Sequence, residues 1–194
     1  MSLPSLFKRE YDDGEMYATD KLAKGFDWWT SAGELREIID GYDCAIIKGR
    51  LYKQIKVDRK NGVPDGAIPR NDYISPSYCR LPCWMPVKRS EIADKKYISA
   101  LENTHWVCKD GVYVAVGTRI KLNPYGLDDV FLEKQYRIRI TDCERTFEGM
   151  REYFRTHPIY GIAVFDERGI PRAQTKRADF GFSWPPRKDD EDEG

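Results

Sequence analysis

Asp43–Val57 reads DCAIIKGRLYKQIKV. Two runs rich in β-branched and aromatic residues, Asp43–Ile47 and Arg50–Val57, flank Lys48-Gly49, and a glycine between two such runs predicts a β-hairpin. Asn61-Gly62 ends it. The second run is also basic: between Lys48 and Lys60 stand six lysines and arginines against one acid, Asp58. Within it Gln54 and Lys56 are two residues apart, so on a strand they share a face.

Upstream of the hairpin, Ser31 followed three residues later by Glu34 has the form of a capping box, which predicts a short helix with Leu35, Ile38 and Ile39 on its apolar side and Gly41 at its end. Residues 1–25 are polar, interrupted by Asp12, Asp13 and Gly14, and read as an irregular arm. Downstream, Pro64, Pro69, Pro76, Pro82 and Pro86 punctuate an excursion that also holds Tyr73, Tyr78 and Trp84. Ser90 to Asn103 has helical spacing in Ala93, Tyr97, Ala100 and Leu101. Asp110-Gly111 between Trp106–Cys108 and Val112–Gly117 predicts a second hairpin. Tyr136, Ile138 and Ile140 alternate with Gln135, Arg137 and Arg139 as on a half-buried strand. Thr141 and Glu144 suggest the start of a third helix with a Phe147, Met150, Phe154 stripe, stopped at Pro158, and Gly161 to Asp166 reads as a last strand. The expected fold is therefore α+β: a mixed or antiparallel sheet of five or six strands against three helices, forming one domain over residues 26–184, with an acidic tail over 185–194.

The chain has 194 residues, with 41% hydrophobic and 33% charged, a composition that supports a buried core and argues against a fibrous or wholly disordered chain. No apolar run approaches the roughly 20 residues that span a bilayer, and the first residues lack the basic-then-apolar plan of a signal peptide. Five cysteines, an odd number in a chain of this size, suit a reducing compartment, so a cytoplasmic location is expected. Lysines plus arginines equal aspartates plus glutamates at 32 each, so a nucleic-acid partner would have to be held by local clusters of charge.

Gly41 to Val57, following a segment that carries Glu34 and Glu37, resembles the core hairpin of the PD-(D/E)xK nucleases, in which an acid opens one strand and an acid-x-lysine triplet ends on its neighbour. The resemblance covers about 25 residues. It implies a metal-dependent phosphodiesterase in which Asp43 holds a magnesium ion, Lys56 positions the attacking water, and Gln54 and Glu34 complete the catalytic set. Gln54 stands where most members carry a carboxylate, and the strand that normally precedes the acid is missing from the predicted elements. Lys48, Arg50, Lys53, Arg59 and Lys60 would contact nucleic acid.

A second set, Cys79-x-x-x-Cys83 with His105-x-x-Cys108, has the ligand types of tetrahedral zinc. Zinc is the less expected metal, because the first gap is three residues long and contains Pro82. The bland alternative makes these cysteines small buried hydrophobes. Two further functional classes stay open beside a nuclease: a non-enzymatic protein-interaction module that exposes Tyr73, Tyr78 and Trp84, and a zinc-stabilised binding domain. No Gly-rich phosphate loop or nucleophile motif is present, and His157 reads as a helix-end cap.

Overall fold

A computed structural model describes residues 3–70, 80–105 and 109–186. Among these residues the chain is mostly β: twelve strands in three sheets, with two α-helices. The expected α+β arrangement of one sheet and three helices is therefore corrected. The chain gathers into two compact units, one formed by Asp40–Gln135 and the other by Leu3–Ile39 with the chain from Tyr136 onward, so residues 26–184 contribute to both.

The first unit contains β4 (Tyr42–Ile47), β5 (Arg50–Asp58), β6 (Ile68–Pro69), β7 (Arg80–Pro86), β8 (Gly111–Gly117) and β9 (Val130–Lys134) in one sheet, ordered β6-β7-β5-β4-β8-β9. Every neighbouring pair is antiparallel. The Asp43–Val57 hairpin forms as the sequence suggests: Lys48 and Gly49 both take positive φ, +51° and +71°, the conformation a two-residue hairpin turn requires. Helix α1 (Lys95–Asn103) packs on one face of this sheet, where Tyr97 and Ala100 join Cys44, Ile46, Leu51, Tyr113, Ala115 and Leu132 in a core. It begins later than the Ser90 start expected for it, after a short 3-10 turn over Ile92–Asp94. The strand predicted at Val112–Gly117 forms, running from Gly111, but among the described residues its partners are β4 and β9, and Trp106–Cys108 lie outside those residues. The proline-rich excursion also contributes to the sheet: β7 runs along β5 from Asp58↔Arg80 to Tyr52↔Pro86.

The second unit contains the ribbon of β1 (Phe7–Asp12) and β2 (Glu15–Leu22), and a sheet of β3 (Glu34–Ile38), β10 (Tyr136–Ile140), β11 (Gly161–Phe165) and β12 (Pro171–Lys176), ordered β10-β3-β11-β12. The irregular arm is corrected to this ribbon. Asp13-Gly14, read as a break, is its turn, with φ of +48° and +85°. The helix expected after Ser31 is instead β3, hydrogen-bonded to β10 on one side and β11 on the other. The segment between Gly33 and Gly41 is too short for a helix stable by itself, whereas two flanking strands satisfy its backbone groups. The Ser31 hydroxyl donates to the Trp28 carbonyl, not to a capping interaction with Glu34.

Helix α2 (Phe147–Thr156) carries the anticipated stripe, with Met150 and Phe154 fully buried in a core with Leu35, Ile162 and Val164. Its cap is Thr146, whose Oγ1 accepts from the Gly149 amide at 2.9 Å, in place of the Thr141–Glu144 box. Arg145 explains the shift: its guanidinium donates to the carbonyls of Trp29, Ala32 and Gly33, tying the helix entrance to the chain before β3.

Candidate nucleic-acid interface

Strand alternation divides β5 into two rows. Lys53 faces α1. Its ammonium pairs with Asp94, which is fully buried and whose other oxygen accepts from the Lys88 amide at 2.9 Å. Arg50, Tyr52, Gln54 and Lys56 form the opposite row, spaced about 7 Å apart along the strand. Of these, Arg50 and Lys56 are exposed, and the Arg50 guanidinium lies 6.0 Å from the centre of the Tyr52 ring.

The hairpin residues of the nuclease resemblance lie on this second face. Cys44 pairs with Lys53, so Asp43 falls across from Gln54, and Asp43, Gln54 and Lys56 share a face as the resemblance requires. Their surroundings differ from a magnesium centre. The Gln54 side-chain oxygen accepts from Arg70, a buried guanidinium that also sits 4.3 Å over the Trp84 ring. A fixed positive charge there opposes a divalent cation at the same oxygen. Asp43 accepts from Gln135 Nε2 at 3.2 Å. Glu34 belongs to the second unit, on β3, where it pairs with Arg36 and, at 3.4 Å, with Arg139. Magnesium seeks several carboxylates and water, and this donor set does not fit it. Among the described residues no three His, Cys, Asp or Glu side chains gather to hold a metal.

For the zinc alternative, Cys79 and Cys108 lie outside the described residues. Cys83 is fully buried on β7, its thiol 3.8 Å from the Leu81 carbonyl, and burial pushes the thiol above its ordinary pKa and away from the thiolate a metal needs. His105 is exposed. Of the aromatic surface expected for a protein-interaction module, Tyr73 and Tyr78 lie outside the described residues, while Trp84 is buried beneath Arg70.

The basic residues of the hairpin occupy three places. Lys48 and Arg50 are exposed at the β4–β5 turn. Lys56 is exposed further along the strand, and Arg59 and Lys60 follow its far end, about 30 Å from the turn. Lys53, counted with them in the sequence, is withdrawn into its ion pair.

The turn is pinned from outside. Lys48 and Gly49 donate their amides to the Asp110 carboxylate at 2.6 and 3.0 Å, and these two bonds hold the Asp110 pKa below its ordinary 3.8. In sequence Asp110 is half of an Asp-Gly hairpin turn, and nothing in its local sequence signals the contact. Arg70 was missed for the same reason: it follows a proline in an irregular stretch, and only the tertiary fold brings it to Gln54. Tyr52 is not among the residues the sequence singles out either, although it shares the two-residue alternation of Gln54 and Lys56. No family model matches this chain, and no curated protein matches it.

Proposed function

We propose that the protein binds single-stranded nucleic acid along the outer row of β5, and that the resemblance to nuclease cores reflects this binding face without the cutting chemistry. The observation that carries the reading is the order Arg50, Tyr52, Gln54, Lys56 on one face of one strand, two exposed cations bracketing an aromatic ring and an amide. Backbone phosphates are attracted by cations at such spacing, and an aromatic ring gives a base a surface to stack on without regard to sequence. Lys48 at one end and Arg59 and Lys60 at the other extend the track. The charge of the first unit supports it: Asp40–Gln135 carries 16 lysines and arginines against 12 aspartates and glutamates. The guanidinium of Arg70 on Gln54 speaks against a divalent metal at that position, so binding and not cleavage is proposed.

Fluorescence anisotropy with a labelled single-stranded oligonucleotide, measured over a range of salt, tests this. Wild-type affinity is expected to fall steeply with salt. Arg50→Ala and Lys56→Ala should each weaken binding to every sequence and flatten the logarithmic salt slope by about 0.7. Tyr52→Ala should cost about 1–3 kcal/mol with the slope unchanged. Absence of binding at low salt, or the same slope in wild type and both charge variants, would refute the reading.

A further inference from the structure

The β1–β2 ribbon of the second unit ends in an apolar tip that the binding face does not account for. Its root is buried, with Phe7 and Ala18 in the core, and beyond the root Glu10 to Gly14 are all exposed. Tyr11 and Met16 are direct cross-strand partners, so their side chains stand on one face of the ribbon; they are 74% and 48% exposed. Tyr17, on the opposite face, is 38% exposed. Among the described residues neither strand pairs with a third. Exposed acids surround the tip: Glu10, Asp12 and Asp13. A two-stranded ribbon is marginal in water, and placing exposed Tyr11 and Met16 at its free end gains nothing for folding. An apolar patch rimmed by charge is the usual form of a protein contact site.

The complementary surface would be apolar with a basic rim, and this chain carries one. On the outer face of the first unit's sheet, half-buried Tyr52 of β5 and Ile68 of β6, 39% exposed, share a face with exposed Arg50 and Lys56. Ile68 pairs with Trp84, which pairs with Gln54, so it shares the face of the Arg50–Lys56 row. The first unit as a whole is also basic, with 16 lysines and arginines against 12 aspartates and glutamates. We infer that the Tyr11–Met16 tip of one copy docks on the β5 face of a second copy of this chain. Tip and face are different surfaces, so the contact is head-to-tail, and each copy keeps one free tip and one free face unless a ring closes. This contact stands whether or not the face also binds nucleic acid.

Analytical ultracentrifugation of the full chain, stripped of nucleic acid, tests it. At low salt the average mass should rise above the 22.6 kDa of one chain as concentration increases, and should return to that value at high salt. Two double variants separate the surfaces: Tyr11→Ser with Met16→Ser removes the tip, and Arg50→Glu with Lys56→Glu reverses the face. Each alone should stay monomeric. Mixed in equal amounts they should form a 1:1 dimer, because one retains the face and the other the tip, and the assembly cannot grow further. Circular dichroism verifies that each is folded, and Glu10→Lys with Asp12→Lys serves as a second tip variant. A wild type that stays monomeric throughout would overturn the inference and leave the tip to a basic protein partner. It would equally be overturned by variants that associate like wild type, or by a mixture that stays monomeric.

Discussion

Asp110 is a surface carboxylate whose neighbours in sequence suggest a turn residue, yet its work is done 62 and 61 positions away, on the amides of Lys48 and Gly49. Those two amides belong to the pair of left-handed residues that turn β4 into β5. Because the folded-state pKa of Asp110 is lowered, its contribution is present above the ordinary value of 3.8 and is lost as pH falls through the lowered value. Hydrogen exchange at the Lys48 and Gly49 amides, expressed as protection relative to the intrinsic rate at each pH, reads this directly: protection should weaken as the pH drops below that range, and Asp110→Ala should show at neutral pH the low protection that wild type shows in acid. Equal protection in wild type and variant at neutral pH would show that the turn holds itself. At this scale the sequence discloses which residues alternate on β5, because period two is written locally. It does not disclose Arg70 on Gln54 or Asp94 on Lys53, since each of these pairs is made by chain folding back from another element.

Among the elements, those with a dense local signal were readable: the β4–β5 hairpin, the body of α1, the apolar stripe of α2, and β11. Those that failed did so for identifiable reasons. In β3, Leu35 and Ile38 fit helical spacing as well as strand burial, and pairing to β10 and β11 decides the outcome. The alternation expected of β10 breaks down because its register shifts between Tyr136 and Arg139, leaving Ile138 49% exposed and Ile140 buried. β12 has no hydrophobic run, and its buried residues, Ala173, Gln174 and Thr175, are small or polar. Gln174 donates its amide to the Pro4 carbonyl and accepts from the Leu6 amide, so that strand is completed by chain far away in sequence. The entry to β3 can be tested at Gly33. Its φ is +79°, and a Cβ there would meet the Phe165 carbonyl oxygen. Gly33→Ala is expected to destabilise the protein by about 2–4 kcal/mol, from backbone strain together with the displaced β11 carbonyl. Chemical denaturation measures this; a loss below about 0.5 kcal/mol, the size of an ordinary surface change, would contradict the strand assignment of this region.

At the scale of the whole molecule the equal totals of acid and base conceal a division. The first unit is basic, the remainder is acidic, and the exposed basic residues of β5 lie on the face opposite α1. Overall composition gives no hint of this, because the opposed excesses cancel. Among the described residues no helix is long and apolar enough to cross a membrane. In the function proposed here, the outer row of β5 follows a polyanion, with Tyr52 as its stacking surface. Photo-crosslinking of a single-stranded oligonucleotide carrying 4-thiouridine, followed by mass spectrometry of the digested protein, tests that claim most directly. The expected result is crosslinking within Arg50–Asp58, centred on Tyr52, and its loss in Tyr52→Ala. Crosslinks confined to other segments, or undiminished in that variant, would contradict the account.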